Sequence, residues 1–191
     1  MASISELSVA PLISAPLNLR KAGMADIPAL LKLINAYATQ EIMLPRTELD
    51  LSENIRDFTV LYSGFHLIGC GALHFYTPTS GEVRSLAIAP GWKEHGFGKK
   101  IVEALAAEAT ESGLHAIFAF TYVPDFFGKI GFRVVERGEL PLKVWKDCLR
   151  CPKFQCCDEI AMIRPLKDRP ILEHSTEAGL DLVQLPRPKQ T

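Results

Sequence analysis

No stretch of this chain approaches the run of about 18 apolar residues that a membrane-spanning helix needs. No sign of charge dominates: 21 Lys and Arg stand against 22 Asp and Glu, a formal net charge of −1. That balance argues against a protein whose main work is neutralising nucleic-acid phosphates, although a local basic patch is compatible with it. Cysteine is scarce, five in 191 residues. The number is odd, and the chain is long enough to bury its own core, so a disulfide framework is not needed. The N-terminus, MASISELSVAPLISAPLNL, lacks a basic region and carries Glu6, which argues against a secretory leader. What is present, 48% apolar and 23% charged residues, is the composition of an ordinary soluble globule. The expectation is a reduced, cytoplasmic protein with no membrane or nucleic-acid partner.

The pattern along the chain divides it into three. Residues 1–17 hold prolines and small residues without periodicity and read as a flexible arm. Residues 18–166 form the body. Residues 167–191 are a proline-containing tail with weak patterning. In the body, NLRKAG is a strand signal. Asp26 and Pro28 then mark a helix start, and Ile27, Leu30, Leu31 and Ile34 carry helical spacing to about Thr39. A second helix is expected over residues 49–57. FTVLYSGFHLIGCGALHFY reads as a hairpin turning at Ser63-Gly64, followed by a strand over residues 81–90. A long helix ends at Gly113; the buried strand LHAIFAFTYV, the short helix in PDFFGKIGF, a strand over residues 131–136, an irregular segment over residues 138–157 and the strand DEIAMIRPL complete the body. There is no internal repeat. The order β-α-α-β-β-β-α-β-α-β-β gives an α/β domain, a mixed sheet with helices on both faces.

The run LAIAPGWKEHGFGKKIVEAL carries the clearest chemistry. A strand ends in Ala89-Pro90, and a turn with Gly96 and Gly98 opens straight into a helix. The first N–H groups of a helix have no intrahelical partner and sit at the positive end of its dipole, where a pyrophosphate fits. The glycines permit close backbone approach, and Lys99 and Lys100 add positive charge. The same arrangement serves turn geometry alone in many helices, so the run by itself leaves both readings open.

DCLRCPKFQCCDE holds four of the five cysteines. Cys148 and Cys151 have metal-ligand spacing. Cys156 and Cys157 are adjacent, and adjacent side chains of an extended chain point opposite ways, which makes a tetrahedral site from all four awkward. A site built from Cys148, Cys151, Cys156 and an outside ligand stays open beside the alternative of a loop packed by buried thiols.

Lys93-x-x-Gly96-x-Gly98 after a strand, followed by Phe126-Phe127-Gly128-Lys129-Ile130-Gly131-Phe132, resembles the GNAT superfamily of acyl-CoA-dependent N-acetyltransferases over about residues 19–166. Lys93 stands where that family commonly has Gln or Arg. The resemblance implies a GNAT-type mixed, mostly antiparallel sheet whose fourth and fifth strands splay around the pantetheine arm of acetyl-CoA. EVRSLAIAP, PDFFGKIGF and ELPLKVWKDCLRCPKFQCCDEIAM look more narrowly like the short, stand-alone N-acetylglutamate synthase family of bacterial arginine biosynthesis. That likeness implies transfer of an acetyl group to the α-amine of L-glutamate. A chain of this length is expected to lack an amino-acid-kinase-like domain and the feedback control that goes with it. Two alternatives stay open on the same fold: acetylation of another small amine or a protein N-terminus, and a non-catalytic acetyl-CoA sensor. A homodimer is compatible with either.

Carried over residue by residue, the resemblance implies that Leu86, Ala87 and Ile88 offer backbone groups to the pantetheine and thioester. Glu94, His95, Gly96, Phe97, Gly98 and Lys99 would cradle the pyrophosphate, with Phe127 on the cofactor side. Glu82, at the head of the fourth strand, is the candidate to take the amine proton; His74 and His115 are alternatives, and a lone histidine is more often structural. Many family members place a tyrosine acid where this chain has Phe127, so Tyr122 is the candidate to protonate the leaving thiolate, with water or backbone N–H groups as the alternative. For two substrate carboxylates, fork-like guanidinium pairing favours Arg46 and Arg84, with Lys143 and Lys146 as further cations.

Overall fold

The computed structural model describes residues 15–140 and 157–166. The sheet has seven strands in the order β1-β2-β3-β4-β5-β7-β6. Strand β1 is Leu17–Lys21, β2 Phe58–Ser63, β3 His66–Thr77, β4 Ser80–Ile88, β5 Ala116–Thr121, β6 Arg133–Val134 and β7 Ile160–Pro165. Helix α1 is Ile27–Ala38, α2 Glu48–Asn54, α3 Phe97–Glu111 and α4 Pro124–Lys129. The element order is the one expected from the sequence. All neighbouring strands are antiparallel except β4 and β5, which are parallel.

The expected arm is shorter than residues 1–17. Leu17 already pairs with Ser63 of β2, and the Gly64 N–H donates to the Pro16 carbonyl at 3.3 Å. The ladder with β2 orders residues whose own composition carried no strand signal. Residues 1–14, 141–156 and 167–191 lie outside the described part; they include most of the expected irregular segment and the tail.

Each element follows from local pattern plus burial. In α1 the buried side chains Ile27, Leu30, Leu33, Ile34 and Tyr37 fall on one face, and Pro28 occupies the first turn, where its missing N–H costs nothing. The β2–β3 hairpin turns through Gly64 at φ +56°, a conformation that glycine adopts without strain. The two faces of the sheet are covered differently. Helices α1 and α2 pack on Phe58, Val60, Cys70, Ala72 and Ala87. Helix α3 lays Ile101, Val102, Leu105 and Ala109 on the other face with Leu61, Leu73, Val83 and Ile117, joined by Phe127 and Ile130 of the α4 region. Burying each such aliphatic side chain contributes roughly 1.5–3 kcal/mol.

Ile101 of α3 packs directly onto the sheet where β3 presents glycine beneath it. A Cβ at Gly69 would stand 2.9 Å from Ile101 Cδ1, and one at Gly71 2.9 Å from Ile101 Cγ2. The close seat fixes the α3 axis, and therefore the start of α3, against the end of β4.

Candidate active site

Strands β4 and β5 pair only at Ser80↔Ala116, Gly81↔Ile117 and Glu82↔Phe118. Beyond Glu82 they diverge, so residues 83–88 of β4 have no ladder partner on the β5 side. The divergence has a local cause. Cys70 pairs with Ala87, but Ala72 pairs with Arg84, so β4 carries one residue more than β3 across this step: a β-bulge. Ser85 takes φ +53° there, a left-handed conformation that is costly for a side chain other than glycine. The bulge turns the second half of β4 away from β5 and opens a cleft through the sheet.

At the open end of the cleft, the loop from β4 to α3 curls through Gly91 at φ +83°, Glu94 at +67° and Gly96 at +76°. Left-handed residues among right-handed ones turn successive N–H groups to one side and form an anion-binding concavity. Helix α3 then begins without help. Its N-cap is Gly96, no side chain caps it, and no acidic residue lies in its first turn. The first intrahelical bond is Lys100 N–H to the Gly96 carbonyl at 3.0 Å, which leaves the N–H groups of Phe97, Gly98 and Lys99 without an intrahelical partner. A Cβ at Gly98 would stand 3.1 Å from Phe126 Cζ, so α3 and α4 close on each other where the cradle forms. Lys93 Nζ lies 5.1 Å from the Tyr37 ring centroid, a cation–π contact that ties the loop to α1. Glu94, His95, Gly96, Phe97, Gly98 and Lys99 therefore line one continuous turn. Phe127 is different. It is 4% exposed, packed edge-on against Phe126 and Phe132, so Phe126 rather than Phe127 meets the start of α3.

The other side of the cleft carries ionisable groups. In an antiparallel pair opposite residues share a face, so Glu82 lies with His74, and Arg84 with Ala72, on the face that α1 and α2 cover. Asp57, in the turn Ile55–Asp57 that follows α2, places its Oδ2 2.6 Å from His74 Nδ1 and 3.7 Å from Arg84 Nη2. The Arg84 side chain is only 11% exposed. Asn35 of α1 grips the backbone of Arg46 twice: its Nδ2 donates to the Arg46 carbonyl at 2.9 Å, and its Oδ1 accepts from the Arg46 N–H at 2.9 Å. The loop between α1 and α2 is thus pinned at the residue selected for substrate binding.

Tyr122 follows β5. Its hydroxyl hydrogen-bonds to Asp158, and burial, with this carboxylate beside it, pushes the phenol well above its usual range. Arg137 reaches the same stretch: it donates to the Cys157 and Glu159 carbonyls while its guanidinium lies 5.8 Å from the Phe120 ring centroid. His115 precedes β5 at the closed end of the strand pair, where its carbonyl accepts from Leu166 N–H. It is not part of the cleft. Lys143, Lys146, Cys148, Cys151 and Cys156 lie outside the described residues. Among the described residues no group of three or more His, Cys, Asp or Glu could hold a metal, and no helix is long and apolar enough to cross a membrane.

Sequence reasoning did not select Asp57, Tyr37 or Cys70. Asp57 read as the end of a helix, Tyr37 as helix interior and Cys70 as a hairpin residue. Their roles depend on contacts between distant segments, for which a single sequence carries no local signal.

Known proteins share this architecture. Residues 27–132 match the acetyltransferase (GNAT) family. An uncharacterized N-acetyltransferase of Chlorobaculum tepidum is 39% identical over 147 residues, covering 77% of this chain and 95% of that protein. An amino-acid acetyltransferase of Mycobacterium tuberculosis is 32% identical over 136 residues, covering 69% and 76%. Among solved structures, N-acetylglutamate synthase from Neisseria gonorrhoeae, complexed with coenzyme A and N-acetyl-glutamate, superposes with a TM-score of 0.73 at 27% identity. The superposition covers 80% of this chain but 35% of that longer one.

Proposed function

Because the chain belongs to the acetyltransferase (GNAT) family, we propose that it transfers the acetyl group of acetyl-CoA to the α-amine of L-glutamate. The products are N-acetyl-L-glutamate and CoA, and the setting is the first step of arginine biosynthesis in the cytoplasm. The observation that carries the reading is the open, uncapped start of α3 at the mouth of the β4–β5 cleft. A relative named amino-acid acetyltransferase and a structural neighbour holding coenzyme A and N-acetyl-glutamate support the choice of substrate.

In this reading the N–H groups of Phe97, Gly98 and Lys99 take the pyrophosphate, with Glu94, His95 and Gly96 shaping the turn. The pantetheine arm runs along residues 86–88, and the acetyl thioester faces Glu82. Arg46 and Arg84, with Lys143 and Lys146, hold the two carboxylates of glutamate. Glu82 takes a proton from the ammonium, directly or through water, since an ammonium has no lone pair with which to attack. The free amine adds to the thioester carbonyl, its nitrogen gives up its extra proton to water, the carbon–sulfur bond breaks, and CoA leaves as a thiolate. Tyr122 or water gives a proton to the sulfur; burial and the Asp158 bond hold the Tyr122 proton more tightly and so favour water for this step.

The test is release of free thiol from acetyl-CoA in the presence of a panel of amino acids and amines. Release with glutamate and not with the others is expected. Release with another amine and not glutamate replaces the substrate. No release from any acceptor, with acetyl-CoA still bound, replaces the enzyme with an acetyl-CoA sensor.

A further inference from the structure

Where β5 leaves β4, the backbone groups of β4 must find other partners, and where each goes is an accounting question. Two carbonyls are met by side chains that come from the α1-covered face. The Tyr37 hydroxyl donates to the Ile88 carbonyl at 2.5 Å. The Cys70 thiol donates to the Ser85 carbonyl at 3.5 Å, and its sulfur in turn faces the Ala87 N–H. Ser85 is the left-handed residue of the bulge, and Ile88 is the last residue of β4. The two contacts therefore bracket the stretch that forms one wall of the cleft.

Neither contact is needed for packing. Cys70 is fully buried and Tyr37 is 8% exposed; serine or alanine and phenylalanine, respectively, would leave the surrounding apolar contacts of α1 and β3 largely in place. Tyr37 lies one turn beyond Ile34 and two beyond Leu30, both fully buried on the same face of α1. Its ring faces Lys93 of the cradle loop, and its hydroxyl faces the end of β4. A buried phenol with its hydroxyl on a strand carbonyl fixes that strand's last peptide, and so sets where the cleft wall ends and the cradle begins.

We propose that Tyr37 and Cys70 are positioning residues for the thioester arm of acyl-CoA: they hold the Ile88 and Ser85 carbonyls toward α1 and so keep residues 85–88 in the turned conformation against which the arm lies. The inference rests on the acyl-CoA reading above and is independent of the acceptor. Tyr37 governs the arm, while the phosphates are held by the start of α3, so the two halves of the ligand report separately.

The experiment is calorimetric titration of the full chain, wild type and Tyr37→Phe, with acetyl-CoA and with adenosine 3′,5′-bisphosphate, which carries no pantetheine. Tyr37→Phe keeps the ring and its contact with Lys93 and removes the hydroxyl alone. One hydrogen bond predicts a loss of about 5- to 10-fold in acetyl-CoA affinity, with bisphosphate affinity unchanged. A purely structural role would lower both or neither, and either result overturns the inference. Should Tyr37→Phe not fold, Cys70→Ala carries the same expectation, with Cys70→Ser, which keeps a donor, restoring affinity for acetyl-CoA. A wild type that binds neither ligand overturns the acyl-CoA reading together with this inference; a wild type that binds acetyl-CoA alongside unaffected variants overturns this inference alone.

Discussion

Helices α2 and α3 face the same physical problem and solve it in opposite ways. Each starts with N–H groups that have no partner in the helix. At α2 the chain satisfies its own: Thr47 Oγ1 accepts from Asp50 N–H at 3.1 Å, Asp50 Oδ2 accepts from Thr47 N–H at 3.0 Å, and Glu48 and Asp50 put negative charge at the positive end of the dipole. In the turn before α1, Asp26 likewise closes a local backbone donor, accepting from Gly23 N–H at 2.8 Å while Arg20 holds it through two bonds and Tyr62 through a third. At α3 there is no such group. The cap is a left-handed glycine, the first turn has no acid, and Lys99 and Lys100 stand beside it. A helix start closed by its own side chains is structural. One left bare and bordered by cations leaves its N–H groups open to an outside anion, as the proposed acetyl-CoA site requires.

Substitutions that exchange the two designs should break the contrast. The largest effect is expected from Gly98→Val, whose branched side chain would meet Phe126 and fill the cradle. Acetyl-CoA affinity should fall by about 100-fold, the ~3 kcal/mol at the upper end of overpacking costs, as read by calorimetry, with the helical circular dichroism retained.

Next is the closed start at Asp26. Its carboxyl lies at about 2, below the ordinary 3.8, because of the Arg20 bidentate pair first and the Gly23 and Tyr62 bonds besides. A lowered folded-state value stabilises the fold above the unfolded value, and that stability is lost as pH falls from about 4 toward 2. The gap corresponds to about 2 kcal/mol. Denaturant midpoints for wild type should drop across that window, those of Asp26→Asn should stay flatter there and lie lower at neutral pH, and acetyl-CoA affinity at neutral pH should be the same for both.

A carboxylate placed at the bare start is expected to act in the opposite sense on the ligand. Gly96→Asp puts a negative charge at the proposed pyrophosphate site and should weaken acetyl-CoA by about 10-fold at low salt, less at high salt, a dependence that calorimetry at two ionic strengths resolves. The smallest effect is on the other side of the comparison. Thr47→Ala opens the α2 start and should cost about 1 kcal/mol of stability in urea denaturation without altering acetyl-CoA binding.

Much of this was legible in the sequence because it is local. The order of strands and helices follows from periodicity and turn residues, and Gly96 and Gly98 mark the bare helix start directly. The splay of the fourth and fifth strands was implied by the family resemblance, but its local cause was not legible. It comes from a bulge at Ser85, a residue with no turn signal of its own, forced into a left-handed conformation by the β3 register. Tyr37 looked like any aromatic on the buried face of a helix, and only its contact with Ile88, 51 residues away, gives its hydroxyl a use. Asp57 closed a helix in the sequence, whereas in the fold it sits between His74 and Arg84. Phe127, read from its motif as a cofactor-side residue, is held inside the core by Phe126 and Phe132. Lys143, Lys146 and the three cysteines weighed as metal ligands stand on residues 141–156, where the sequence remains the guide.

The most direct test follows backbone amide resonances during titration with acetyl-CoA. The N–H signals of Phe97, Gly98 and Lys99 should shift strongly and saturate together, while those of Glu48, Leu49 and Asp50 at the capped start of α2 stay where they are. Saturating acetyl-CoA that leaves the α3 amides unmoved would contradict the account.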